Sequence, residues 1–159
     1  MKRTSRYPII AALFLLATGC AKEVGEELGL IPTGCGFDGA RLEATVNGTS
    51  WCADANLTAA ANGDEILVNG ITITGGTLTF QLDSMAVGAH PLNEGNNSVL
   101  LTTFGLPYLS TDTDPGVITV LAHDTAANRL QAEFIVTLHT ELDGSTREVS
   151  GSMDVTYVE

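Results

Sequence analysis

The residues able to carry chemistry are few and scattered. Three histidines (His90, His123, His139) and three cysteines (Cys20, Cys35, Cys52) are spread over 159 residues. His123 precedes Asp124, a base next to an acid, but neighbours on a strand point to opposite faces and do not meet. No Gly-x-Ser-x-Gly elbow and no His-x-x-x-His pair occurs. No nucleophile, base and orienting group stand in a recognisable spacing, so the sequence supports neither an enzymatic reading nor a cofactor.

Hard oxygen ligands are more plentiful. "ANGDE" (61–65), "NEGNN" (93–97) and "DTDPG" (112–116) gather Asp, Asn and Glu in short loops, the donor type calcium prefers. None has the spacing of the twelve-residue calcium loop, and the same residues are the ordinary formers of tight turns, so no metal site is expected. The remaining candidate for ligand binding is Tyr108. Beside Pro107 and followed by Asp112 and Asp114, its ring is placed to stack on a sugar or fill a partner's pocket, or else to cover a sheet edge.

Charge narrows the partners. The chain carries 19 acidic and 7 basic residues, for a formal net charge of −12. Such a surface repels phosphate backbones, which excludes nucleic acid as a partner.

The N-terminus is organised differently from the rest. Lys2, Arg3 and Arg6 precede the apolar run "PIIAALFLLA" (8–17), which ends in Thr18, Gly19 and Cys20. A basic start, a short apolar stretch and a small-residue end make an export signal, too short to span a bilayer. "ATGC" resembles the lipobox of bacterial lipoproteins. The resemblance implies cleavage before Cys20, a diacylglyceryl group on its sulfur, and further acylation such as palmitate on its nitrogen. With Ala21 following, it implies transfer to the outer membrane. Several acyl chains hold where one holds only marginally. The mature chain then keeps four bases (Lys22, Arg41, Arg129, Arg147) against 19 acids, a net charge near −15.

With Cys20 given to lipid, Cys35 and Cys52 remain as an even pair in an exported, oxidising setting, and a disulfide between them is expected. The alternative is two free buried thiols. The expected organisation is a signal peptide over 1–19, a lipidated acidic tether over 20–36 and one domain over 37–159.

Within that domain the apolar period is two. Ala40, Leu42, Ala44 and Val46 alternate with polar residues, then Asn47-Gly48 supplies the strongest short hairpin signal, and Trp51 follows on the return strand. Ile66 and Val68 share a phase that slips at Asn69-Gly70 before Ile71 and Ile73, which predicts a bulge or tight turn there. Leu78, Phe80 and Leu82 alternate, "VGAHPL" (87–92) reads as a short edge strand because of its proline, and 98–104 reads as a buried strand continued by 106–111. Leu130 to His139 alternates most cleanly, Asp143-Gly144 marks another hairpin, and the last strand places Val149, Gly151, Met153, Val155 and Tyr157 on one face. Eight to ten strands and no helix predict an all-β, antiparallel β-sandwich, with a β-barrel as the alternative.

From "ARLEATVNGTSWCAD" through "GAHPLN" to "REVSGSMDVTYV" the layout is similar to all-β, lipid-anchored domains of bacterial envelopes whose activity is not known. That resemblance implies architecture and address. The expected function is a non-enzymatic, membrane-anchored module that binds a protein, glycan or small ligand. The alternatives are an acidic structural spacer or a small hydrolase.

Overall fold

A computed structural model describes residues 35–36, 39–93 and 95–159. The lipobox, Cys20 and the acidic segment up to residue 34 lie outside the described residues.

The chain folds as eleven antiparallel strands: β1 (Arg41–Val46), β2 (Thr49–Cys52), β3 (Asn56–Asn62), β4 (Glu65–Ile71), β5 (Thr77–Leu82), β6 (Gly88–Leu92), β7 (Ser98–Thr103), β8 (Leu106–Leu109), β9 (Gly116–Asp124), β10 (Arg129–His139) and β11 (Thr146–Thr156). They form one hydrogen-bonded sheet in the order β2-β1-β11-β10-β8-β7-β5-β4-β3, with β9 and β6 added beside β10. β10 is long enough to serve two neighbours. Its residues 129–135 pair with β9, and its last residue, His139, pairs with Leu109 of β8. The sheet curls there, so that β3-β4-β5-β7-β8 face β6-β9-β10-β11-β1-β2. At the other corner Val158 bridges to Ala60 of β3.

Alternation drives the curl, because each strand has one apolar face and both halves must bury it. Phe80 of β5 meets Phe134 of β10 with ring centroids 4.6 Å apart. Leu42, Val68, Leu78, Leu101, Ile118, Leu130 and Leu138 are buried around them. The all-β expectation holds, with eleven strands in place of eight to ten. Cys35 and Cys52 are joined by a disulfide with Cα atoms 4.8 Å apart. Leu42 N–H also donates to the Cys35 carbonyl at 2.9 Å. Cys35, assigned from sequence to the end of the tether, is thus tied to the sheet.

The Asn47-Gly48 hairpin forms as read, with both φ angles positive (49° and 75°). Two other readings are corrected. Asn69-Gly70 is neither bulge nor turn: β4 runs through it, and Gly70 points inward in phase with Ile66 and Val68. A side chain is absent there because Leu42 and Trp51 occupy the space, and a Cβ would stand 2.6 Å from Leu42 Cδ2 and 3.0 Å from Trp51 Cη2. The chain turns instead at 72–76. Likewise 106–111 does not continue the strand before it. Phe104 and Gly105 adopt φ of 50° and 78°, making a tight hairpin from which β8 returns along β7.

Candidate functional site

The outer face of the β9-β10-β11-β1 layer is a groove, and the pairing registers set its lining. Glu43 of β1 and Glu133 of β10 both lie opposite Ser152 of the strand between them, and Thr119 of β9 lies opposite Glu133. One step along, Thr45, Ser150, Ile135 and Val117 form the next row. Neighbouring strands are ~4.8 Å apart, so the backbones carrying Glu43 and Glu133 stand ~10 Å apart across the groove.

The two rows line an open cavity of about 730 Å³, which Cys35, Cys52 and Trp51 border. Thr45, Val117, Ile135 and Ser150 also border a second cavity of about 390 Å³, which extends past Asp114, Thr137 and Glu148. Hydroxyls and carboxylates (Glu43, Thr45, Thr119, Glu133, Ser150, Ser152) share the lining with a larger apolar part, of which Ile135 is 62% exposed. Among the described residues, no lysine, arginine or histidine lines either cavity. Thr45 Oγ1 and Ser150 Oγ share a hydrogen bond of 3.0 Å, and Ser152 Oγ donates to Glu43 at a long 3.5 Å.

Fixed charge borders the groove below. Arg129 donates two hydrogen bonds of 2.6 Å to Asp154, and Gln131 adds one of 2.8 Å. Those bonds, the arginine's first, hold the Asp154 carboxyl below its ordinary range and raise Arg129 in return. At the upper end His139 Nε2 lies 3.8 Å from Asp114 Oδ2, beyond hydrogen-bond reach.

The residues singled out from sequence are dispersed. Tyr108 is not a surface aromatic: β8 turns it inward, fully buried, with its hydroxyl 3.2 Å from Ser145 Oγ and the Arg147 guanidinium 4.7 Å above its ring centroid. It has no open face on which a sugar could stack, and its role as a binding residue is corrected to that of a core residue. Asp112 and Asp114 are exposed on the loop after β8, and only Asp114 reaches the groove.

His123 and Asp124 do not meet. Leu121 is extra where Gln131 and Ala132 face Ala122 and Val120. This bulge shifts the phase and turns His123 to the Tyr157 hydroxyl at 2.8 Å, while Asp124 accepts from the N–H groups of Ala126 and Ala127. Asn97 of "NEGNN" is structural, buried and accepting from Asp83 N–H at 3.0 Å. Among the described residues, no group of three or more His, Cys, Asp or Glu is gathered to hold a metal.

Glu43, Glu133, Ser150 and Ser152 were not among the sequence candidates. Their signal was present as the polar phase of β1, β10 and β11, but alternation names a face without saying which strands share it. No family model, curated protein or solved structure matches the chain.

Proposed function

We propose that this protein is a lipid-anchored envelope lipoprotein whose β-domain is a binding module, and that its ligand is a neutral or amine-bearing polyhydroxyl molecule such as a short glycan. One observation carries the reading: a groove of about 730 Å³ continuing into one of about 390 Å³, in which hydroxyls and carboxylates are set among apolar residues and, among the described residues, no basic side chain takes part. Its size is that of small-ligand sites. Its acceptors suit sugar hydroxyls and ammonium groups, and its charge disfavours phosphate and sulfate.

The anchor rests on the lipobox resemblance at Cys20. Cys35 opens the β-domain at the groove's edge, and the 14 residues between Cys20 and Cys35 allow a reach of at most ~50 Å from the membrane.

Two measurements test the two halves. Membrane partitioning of Cys20→Ser should fall to that of a soluble protein, and unchanged partitioning refutes the anchor. A glycan-array screen followed by NMR titration should give hits whose shifts cluster at Thr45, Ser150 and Glu133. These hits should weaken at least about tenfold in Ser150→Leu, as expected when a ligand hydroxyl loses its partner. Hits that map elsewhere, or that ignore the substitution, refute the groove.

A further inference from the structure

Among the described residues, β10 and β8 meet through a single ladder pair, His139 with Leu109. The pair lies at the corner where the sheet curls, and the loop 110–115 runs past it from β8 to β9. His139 Nε2 is shielded from solvent and has no hydrogen-bond partner among the described residues. Asp114 Oδ2, on that loop, stands 3.8 Å from it, about 1 Å more than a charge-assisted hydrogen bond spans. A shielded nitrogen without a partner costs free energy. Histidine is also the side chain that gains its charge between pH 8 and 5.

The loop lets this gap close and little more. Ser110 holds its start, almost wholly buried, its N–H donating to the Val99 carbonyl at 3.0 Å and its Oγ to the Asn93 carbonyl at 2.8 Å. Gly116 holds its end, so close to β10 that a Cβ there would stand 2.4 Å from Val136 Cβ. Between these points the Asp114 side chain, 58% exposed, has room to rotate. Asp114, Pro115 and Gly116 border the smaller cavity together with Thr137 and Glu148. His139 is the next residue after Thr137 on the same face of β10, so a carboxylate drawn to it moves along the strand and out of that cavity.

We infer that His139 and Asp114 form a pH-sensitive latch, which on protonation of the ring fastens the loop 110–115 to the end of β10 and takes the Asp114 carboxylate away from the groove. With the latch closed, both ring nitrogens are donors and Nε2–H is given to Asp114. With it open, the ring is neutral and Asp114 stays at the cavity's border. The charged ring strengthens the pair, so the latch stabilises the domain at low pH, and its contribution is lost as pH rises through the histidine range. Other charged groups packed around the ring are acids. On β11 Thr146 lies directly opposite, with Glu148 next on the same face; β8 offers the uncharged Leu109; the loop adds Asp112, and the turn after β10 carries Glu141 and Asp143. Arg147 lies on the inward side, over the Tyr108 ring. The latch itself rests on the geometry of this corner, and only its consequence for a ligand rests on the groove being a binding site.

It is tested without ligand, on the full chain carrying Cys20→Ser, by thermal melts of the parent, His139→Gln, Asp114→Asn and the double variant at about pH 5.5 and pH 8. At the lower pH the double variant should lose less than the sum of the single losses, by about 2–4 °C in Tm. At pH 8 the two substitutions should add. His90 and His123 are present in all four chains and cancel in the comparison. The amide signals of Asp114, Gly116 and Thr137 should move between the two pH values in the parent and hold still in His139→Gln. Equal coupling at both pH values, coupling at neither, or amide signals that do not move in the parent overturns the inference. So does coupling of His139→Gln with Glu148→Gln or Asp112→Asn in place of Asp114→Asn, since that gives the ring to another acid. A latch that fails these tests leaves the groove reading standing, and a groove that binds nothing leaves the latch.

Discussion

Gly70→Ala tests whether a missing side chain is what lets the two layers close. The inward phase of β4 reads Ile66, Val68, Gly70, and the third place is filled from across the core by Leu42 and Trp51. A methyl at Gly70 would stand 2.6 Å from Leu42 Cδ2 and 3.0 Å from both Ala53 Cβ and Trp51 Cη2. Leu42 and Ala53 are wholly buried, so neither has room to retreat. Overpacking of this kind costs about 1–3 kcal/mol. Against it stands the smaller entropy of the unfolded alanine chain, about 0.4–1 kcal/mol in the other direction. The net expectation is a loss of about 1–2 kcal/mol. Trp51 is the sole tryptophan, so its fluorescence during urea unfolding reports from the site itself. With a slope of about 2 kcal/mol per molar, the midpoint should fall by about 0.5–1 M with the slope unchanged. Leu42→Val in the same chain should recover part of the loss as a positive coupling, because it withdraws the nearest atom. A midpoint that stays or rises, or strict additivity of the two substitutions, would show that the space is not needed and refute the packing argument.

Other outcomes follow from single features. Phe104 is fully exposed at a φ of 50°, so Phe104→Asn should stabilise the domain by about 0.5–1 kcal/mol in a thermal melt, since asparagine tolerates that conformation and no burial is lost; a lowered Tm counts against this. Replacing both Cys35 and Cys52 by alanine should cost about 3 kcal/mol, as expected for a loop closed over a separation of 17 residues. Mass analysis of the native chain should find neither cysteine alkylatable. Asp154 is held below its usual pKa by Arg129, so its contribution is complete above the unfolded carboxyl pKa near 3.9 and is lost as pH falls through its lower folded value. Asp154→Asn should therefore flatten the acid limb of the stability profile below about pH 4, and an unchanged limb refutes the assignment.

Much of the local structure was legible in the sequence because it rests on local physics. Asn47-Gly48 makes its hairpin since those two residues accept positive φ, and the ten-residue alternation from Leu130 to His139 sorts into a buried and an outward face residue by residue. Where local signals failed, a distant contact had overridden them. β3 carries three alanines, poor strand formers, and is held by its full register with β4 and by the bridge to Val158. Phe104 is not a turn residue by type, yet the pairing of β7 with β8 forces it into one. Tyr108 reads as a surface aromatic beside a proline, and only the pairing of Leu101 with Tyr108 shows that it faces inward.

The candidate site was less legible than the fold for the same reason. Glu43, Ser152 and Glu133 form one row because β11 lies between β1 and β10, which brings the first strand of the chain beside the last. The sequence by itself determined the class of the domain, the two faces of its strands and its acidity, which follow from residue type and spacing, while the bond between Cys35 and Cys52 was an expectation that the structure bears out. Only the tertiary structure decided which polar faces share a groove and which glycine makes room for the core. Alternation specifies the side of a strand but carries no information about its neighbours, and the neighbours are what make a surface.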